Sequence, residues 1–167
     1  MFELLYTSLC PKPLCRAELT ALLCCVREHN QRTGLTGMLL YQQQTVMQLL
    51  EGERDVVLQQ FQRLRQDPRH QHIELAYKGP IAARTFAGWS LGFDDPDAAW
   101  LNALLPGYLS LASAQVSLLG IRQPSHGVER MTQWAPYLFD WQGGQRENAG
   151  SPALGTRCRA QSIACAV

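Results

Sequence analysis

The chain has 167 residues, enough for one compact domain with a modest appendage. Hydrophobic residues make up 46% of it, so a real core can form, and a formal net charge of +1 without a Lys/Arg run excludes binding to nucleic acid or membrane surfaces by bulk electrostatics. No apolar stretch is long enough to span a bilayer.

Residues 2–8 form a short apolar run that reads as a strand, with no basic region or cleavage site before it, so export is not expected. Cys10-Pro11-Lys12-Pro13 is a turn. From 16 to about 29, Leu19, Leu22, Leu23 and Val26 recur at helical spacing, and Gly34 lies in the turn that follows. Residues 35–41 and 45–50 read as strands joined through Gln42-Gln43-Gln44 into a hairpin that ends at Glu51-Gly52. A second helix is expected over 53–66, with Val57, Phe61 and Leu64 on one face and Glu53 and Asp55 at its positive end. Asp67-Pro68 stops it, and residues 73–78 and 86–93, around Gly79-Pro80, are the last strand candidates.

The order β-α-β-β-α-β-β predicts an α+β fold of ferredoxin-like type with one added strand and both helices on one sheet face. Beyond Asp95, residues 98–111 and 128–139 read as helices that cover the other face, because a sheet of apolar strands cannot leave one side in water. Residues 142–167 lack periodicity and read as a disordered tail. Three segments are thus expected: a domain over 1–95, a helical cap over 96–141 and the tail. The six cysteines show neither C-x-x-C spacing nor a His cluster suited to zinc, and are expected to be reduced thiols in a cytoplasmic protein, with no metal bound.

Side chains alternate faces along a strand, so Leu4, Tyr6 and Ser8 share one face of the first strand, and Val46, Gln48 and Leu50 share one face of the third. If both sets look toward the helices, Tyr6 and Gln48 point into the interior, where an unpartnered amide costs about 1–3 kcal/mol. Gln48 then needs either Tyr6 and nearby backbone or a ligand between the helices. The plainer reading makes Tyr6 a core residue and Gln48 an edge residue. His29-Asn30 can cap the first helix, Arg63 and Asp67 can form an i,i+4 surface pair, Arg69 and His70 can be loop residues, and Trp89 can be a core aromatic. Taken together, they offer a phenol, two amides, a guanidinium and a carboxylate around one slot, an inventory suited to a flat, polar-edged heterocycle.

Those same residues carry a resemblance. Leu4-Leu5-Tyr6-Thr7-Ser8, the run from His29-Asn30-Gln31-Arg32-Thr33-Gly34 to Leu40-Tyr41, Gln48-Leu49-Leu50-Glu51-Gly52-Glu53, Asp67-Pro68-Arg69-His70 and Phe86-Ala87-Gly88-Trp89-Ser90 are collinear blocks. They resemble the BLUF family, sensors of blue light using FAD, over roughly residues 1–95. The resemblance implies a photoreceptor that is not an enzyme and that holds a flavin, FAD with FMN as the alternative, between its two helices. It implies Tyr6 and Gln48 as the photoactive pair. The flavin-binding set it implies is Tyr6, Ser8, His29, Asn30, Gln48, Arg63, Asp67, Arg69 and His70, with Asn30 on the ring's O4/N3 edge. Trp89, Ser90 and Leu91 would transmit the signal. The family has Met two residues after the Trp, and Leu91 here keeps the volume but loses the thioether, so an altered signalling-state lifetime is expected.

The implied switch is loss of an electron and a proton from Tyr6, recombination, and a Gln48 amide left rotated or tautomerised, with a small red shift in absorption. The signal would pass to a separate partner protein, from a homo-oligomer. A light-insensitive interaction module with weak or no flavin binding is the alternative. A small acylphosphatase-like hydrolase on the same fold is disfavoured, because Gly34 and Gly37 flank Leu35-Thr36 and make no anion loop ahead of a helix.

Overall fold

The structure is a computed structural model that describes residues 1–12, 16–42, 44–93 and 108–139. Strand β1 (Phe2–Leu9) leads into helix α1 (Arg16–Thr33), a hairpin of β2 (Thr36–Gln42) and β3 (Thr45–Gly52), helix α2 (Arg54–Gln66), β4 (Gln71–Pro80) and β5 (Trp89–Phe93). A short β6 (Tyr108–Ser110) and helices α3 (Leu111–Leu119) and α4 (His126–Leu138) complete it. The sheet order is β4-β1-β3-β2-β5-β6, antiparallel through the first four strands and parallel at β2-β5 and β5-β6. This is the ferredoxin-like βαββαββ order, extended by one edge strand.

Strand alternation sorts the core into two layers. Leu4, Tyr6 and Leu50 point to one side and pack with Leu35, Val57 and Phe61. Leu5, Met38, Leu40, Met47 and Leu49 point to the other, against Ala114 and Leu118 of α3 and Val128, Met131 and Ala135 of α4. Full burial of each large apolar side chain contributes about 1.5–3 kcal/mol, so the C-terminal helices cover the back of the sheet as the apolar strands require. No described α1 side chain belongs to the front cluster, which comes from β1, β3, α2, β4 and Leu35.

Several boundaries differ from expectation for identifiable reasons. Helix α1 runs to Thr33, one turn past His29. It stops where Gly34 takes the left-handed conformation (φ 69) and Leu35 N–H donates to the Asn30 carbonyl at 2.9 Å, a Schellman-type end. Gly37 sits in β2 at φ 149, where any Cβ would overlap the Leu49 carbonyl oxygen of β3, so only glycine lets the hairpin close. Residues 86–88 precede β5 rather than belonging to it, and Tyr108–Ser110, expected in a helix, pairs as a strand with β5 instead. Edge pairing decides that, and hydrophobic periodicity does not report it. Helix α3 starts where the expected helix was to stop. Residues 98–107 and the expected tail over 142–167 lie outside the described residues.

Cys10 and Cys24 are free thiols, whereas Cys25 is disulfide-bonded, which corrects the expectation of six reduced cysteines. Which thiols pair depends on where the fold brings their Cβ atoms, and spacing in sequence does not reveal it. No helix among the described residues is long and apolar enough to cross a membrane.

Candidate functional site

The front face of the sheet carries the candidate site. Tyr6 and Gln48 are register partners across β1 and β3, both buried, and the Tyr6 hydroxyl donates a hydrogen bond to the Gln48 Oε1. The phenol and the carboxamide therefore meet inside the protein. The Gln48 amide nitrogen is left as a donor for something else. Burial, and after it the negative charge of Asp67, pushes the Tyr6 hydroxyl far above the ordinary tyrosine range, so it is a neutral phenol at all working pH. Its ring lies 5.6 Å from that of Phe61, and the His70 ring meets it edge-on at 5.9 Å.

The turn after α2 is built by one carboxylate. Asp67 is buried at the helix C-cap. Its Oδ1 accepts from the Arg69 backbone N–H at 2.9 Å, and its Oδ2 from Arg69 Nη2 at 2.5 Å. Burial alone would raise the Asp67 pKa, but the Arg69 hydrogen bonds and charge outweigh it and hold the carboxyl below its usual range. The bonds to Asp67 in turn raise Arg69. The pinned turn delivers His70, whose Nδ1 lies 2.7 Å from the Ser8 Oγ. Burial lowers the His70 pKa, so the ring is biased toward its neutral form. Asp67 is thus paired with Arg69 and not with Arg63, which stands exposed on α2.

A second polar group joins the helices. His29 and Asn30, in the last turns of α1, are both buried. His29 Nε2 lies 3.1 Å from Gln60 Oε1 of α2, and burial lowers its pKa. Gln60 adjoins Phe61, so consecutive residues of α2 meet His29 on α1 and Tyr6 on the sheet. The Asn30 Nδ2 is the buried side-chain polar atom that has no hydrogen-bond partner among the described residues. A buried N–H without an acceptor costs about 1–3 kcal/mol, and the carbonyl or ring-nitrogen edge of a bound heterocycle is the kind of group that removes that cost. A cleft of about 350 Å³ lined by Glu28, Gln31 and Arg32 opens on the adjoining surface of α1.

On these observations the residues present fit a flavin: a flat ring has a hydrogen-bonded phenol and amide on the sheet, and an orphaned amide donor on the helix. Trp89, Ser90 and Leu91 lie on β5, where Leu91 is the register partner of Leu39 in β2. Three residues escaped the sequence reading: Glu3, Glu51 and Arg84. Both acids are fully buried, and Arg84 bonds the Thr36 hydroxyl at 2.7 Å and the Gly34 carbonyl at 2.6 Å. Acids at alternating, otherwise apolar strand positions were the available signal.

The ferredoxin-like sheet thus carries a buried, hydrogen-bonded phenol–carboxamide pair on the face packed by α2. The family model "BLUF: Sensors of blue-light using FAD" matches residues 1–92, and the chain belongs to the BLUF family. It is 34% identical over 89 residues to the photoactivated adenylate cyclase subunit beta of Euglena longa, and 33% identical to that of Euglena gracilis. Each match covers 53% of this chain and 10% of the relative, so the chain spans about a tenth of the length of those proteins. Among solved structures, the dark-state BLUF protein BlrB aligns with TM-score 0.55 and 29% identity, over 79% of this chain and 92% of that one. The BlrP1 BLUF structure aligns with TM-score 0.60 at 23% identity, over 80% of this chain and 88% of that one, and supports the fold.

Proposed function

We propose that the protein is a blue-light photoreceptor in which Tyr6 and Gln48 form the photoactive pair, and that it signals through another chain while catalysing nothing itself. The direct hydrogen bond between these two buried side chains on adjacent strands is the single observation that carries this reading. Bound flavin supplies the blue-light absorption and the redox partner. Tyr6, Asn30 and Gln48 would hold its polar edge, and Ser8, His29, Arg63, Asp67, Arg69 and His70 would line the rest of the site. FAD is the cofactor we favour over FMN.

Tyr6 is suited to give up an electron and then its proton, and to regain both. The raised pKa means that the proton sits on the phenol in the resting state. Gln48 is suited to be the switch, because the two ends of its amide are a donor and an acceptor of similar size. Once the Tyr6 bond lapses, the amide turns or tautomerises and re-forms a different network at almost no steric cost. Trp89, Ser90 and Leu91 on β5 carry the change outward, with Leu91 setting how long it lasts. The cap of α3 and α4 hands it on to a partner, and we expect the working form to be a homo-oligomer. The match to about a tenth of relatives named as cyclases supports a sensor role separate from their catalysis.

The test is spectroscopic. Purified protein is expected to be yellow and to show a reversible red shift of its visible band under blue light, while Tyr6→Phe keeps the colour and loses the shift. A Tyr6→Phe protein with the full shift ends the role assigned to Tyr6. A colourless parent that takes up no added flavin favours the interaction-module alternative.

A further inference from the structure

The back of the same two strands carries a second matched pair. Along β1, Glu3 lies three residues before Tyr6, and along β3, Glu51 lies three residues after Gln48. Odd spacing turns both acids to the opposite face. The register pairs Glu3 with Glu51 just as it pairs Tyr6 with Gln48, and both carboxylates are fully buried. The two pairs therefore share the same two strands, about 10 Å apart along them.

Each acid holds a different output element. Glu3 accepts from the Ser125 hydroxyl at 2.5 Å and from the Gly127 backbone N–H at 2.9 Å. Ser125 is the N-cap of α4 and accepts in turn from the Val128 N–H at 3.3 Å. The clasp is close enough to require glycine, since a Cβ on Gly127 would lie 2.8 Å from Glu3 Oε2 and 2.7 Å from Leu49 Cδ1. Glu51 accepts from the Thr85 and Phe86 N–H groups at 2.8 and 3.0 Å and from the Thr36 hydroxyl at 3.2 Å, fixing the segment that leads into β5. Phe86 belongs to the same core cluster as Val128 and Met131 of α4.

We propose that Glu3 is a positioning residue that fastens α4 to the back of the sheet and, with Glu51 beside it, passes the state of the Tyr6–Gln48 pair through the sheet to that helix. Two carboxyl groups face each other across β1 and β3, and the Arg84 guanidinium nearby bonds the Glu51 backbone carbonyl, not its carboxylate. The positive N-terminus of α4 offsets the charge on Glu3. Rearranging the front pair alters the fit of β1 on β3, and with it the spacing of the acids and the strength of the clasp. This inference rests on the photoreceptor reading, and the test separates the two.

Flavin-loaded full-length parent, Glu3→Gln and Gly127→Ala are compared by hydrogen–deuterium exchange in the dark and under blue light, with the absorption shift read on the same samples. In the parent, light is expected to change exchange in the first turn of α4 by roughly threefold or more. In Glu3→Gln the red shift persists and this light-dark difference disappears. Gly127→Ala, which opens the clasp from the α4 side while leaving the β1 sequence unchanged, gives the same loss. A parent that shows the red shift but no light-dependent change at Gly127 and Val128 overturns the coupling alone, whatever the variants do. Unchanged differences in both variants also overturn it, since they reduce Glu3 to a static cap. A parent without the red shift overturns the photoreceptor reading, and the coupling falls with it.

Discussion

At the scale of single residues, the site is defined by how its buried polar atoms are satisfied. Tyr6 meets Gln48, Ser8 meets His70, and Asp67 meets Arg69. Asn30 keeps one donor without an acceptor. That imbalance yields a prediction with two signs. Asn30→Ala should leave the melting temperature of flavin-free protein unchanged or slightly higher, because it removes an unsatisfied group. The same substitution should weaken flavin binding by about 1–3 kcal/mol, roughly five- to 150-fold, as measured by titration. Loss of apo stability with unchanged flavin affinity would show that Asn30 serves the helix end and not a ligand. Strand alternation offered the meeting of Tyr6 with Gln48 only as one of two readings, beside an edge-exposed Gln48, and the register of β1 on β3 decided between them. The pairing of Asp67 was not: i,i+4 spacing pointed to Arg63, whereas the turn residue Arg69 reaches the carboxylate first, with both its backbone and its guanidinium.

Elements were legible where the sequence carries its own punctuation. The hairpin is an example, since two apolar runs flank a short polar link and Gly37 marks the crowded rung. Gly37→Ala combines a disallowed φ with overlap on the Leu49 carbonyl oxygen, and neither can relax without parting β2 from β3. It should cost more than about 3 kcal/mol and lower the melting temperature by roughly 6–12 °C, measured by thermal unfolding. A loss within a degree or two would mean that the hairpin can slide to make room. Helix α1 ends at its glycine and not at the last apolar residue, because backbone hydrogen bonding at Gly34 and Leu35 sets the stop. Edge strand β6 was read as helix because three residues are too few to show a period of two, and a partner strand decides their conformation.

At the scale of the whole molecule, burial of ionisable groups sets how stability follows pH. Burial holds both His29 and His70 below the usual 6.5, so each contributes stability above that value that is lost as pH falls through its lowered folded pKa. Buried Glu3, raised above 4.5 chiefly by desolvation, has the opposite sign, its contribution being present below 4.5 and lost as pH rises through the raised value. Chemical denaturation at several pH values should therefore show stability falling from about pH 7 toward pH 5, and His70→Gln should flatten that slope. A parent whose stability is flat across that range would mean that the two histidines titrate as if exposed.

The sequence by itself determined the element order as far as β5, the alternation of faces along each strand and the family, because these depend on local periodicity and on side chains that keep their spacing along the chain. The tertiary structure alone decided which acid answers which donor, that Cys25 is bridged, and that Glu3 and Glu51 lie back to back with the photoactive pair. Those facts follow from strand register and helix docking, which bring together residues more than a hundred positions apart, such as Glu3 and Gly127. No local pattern encodes a distance of that kind.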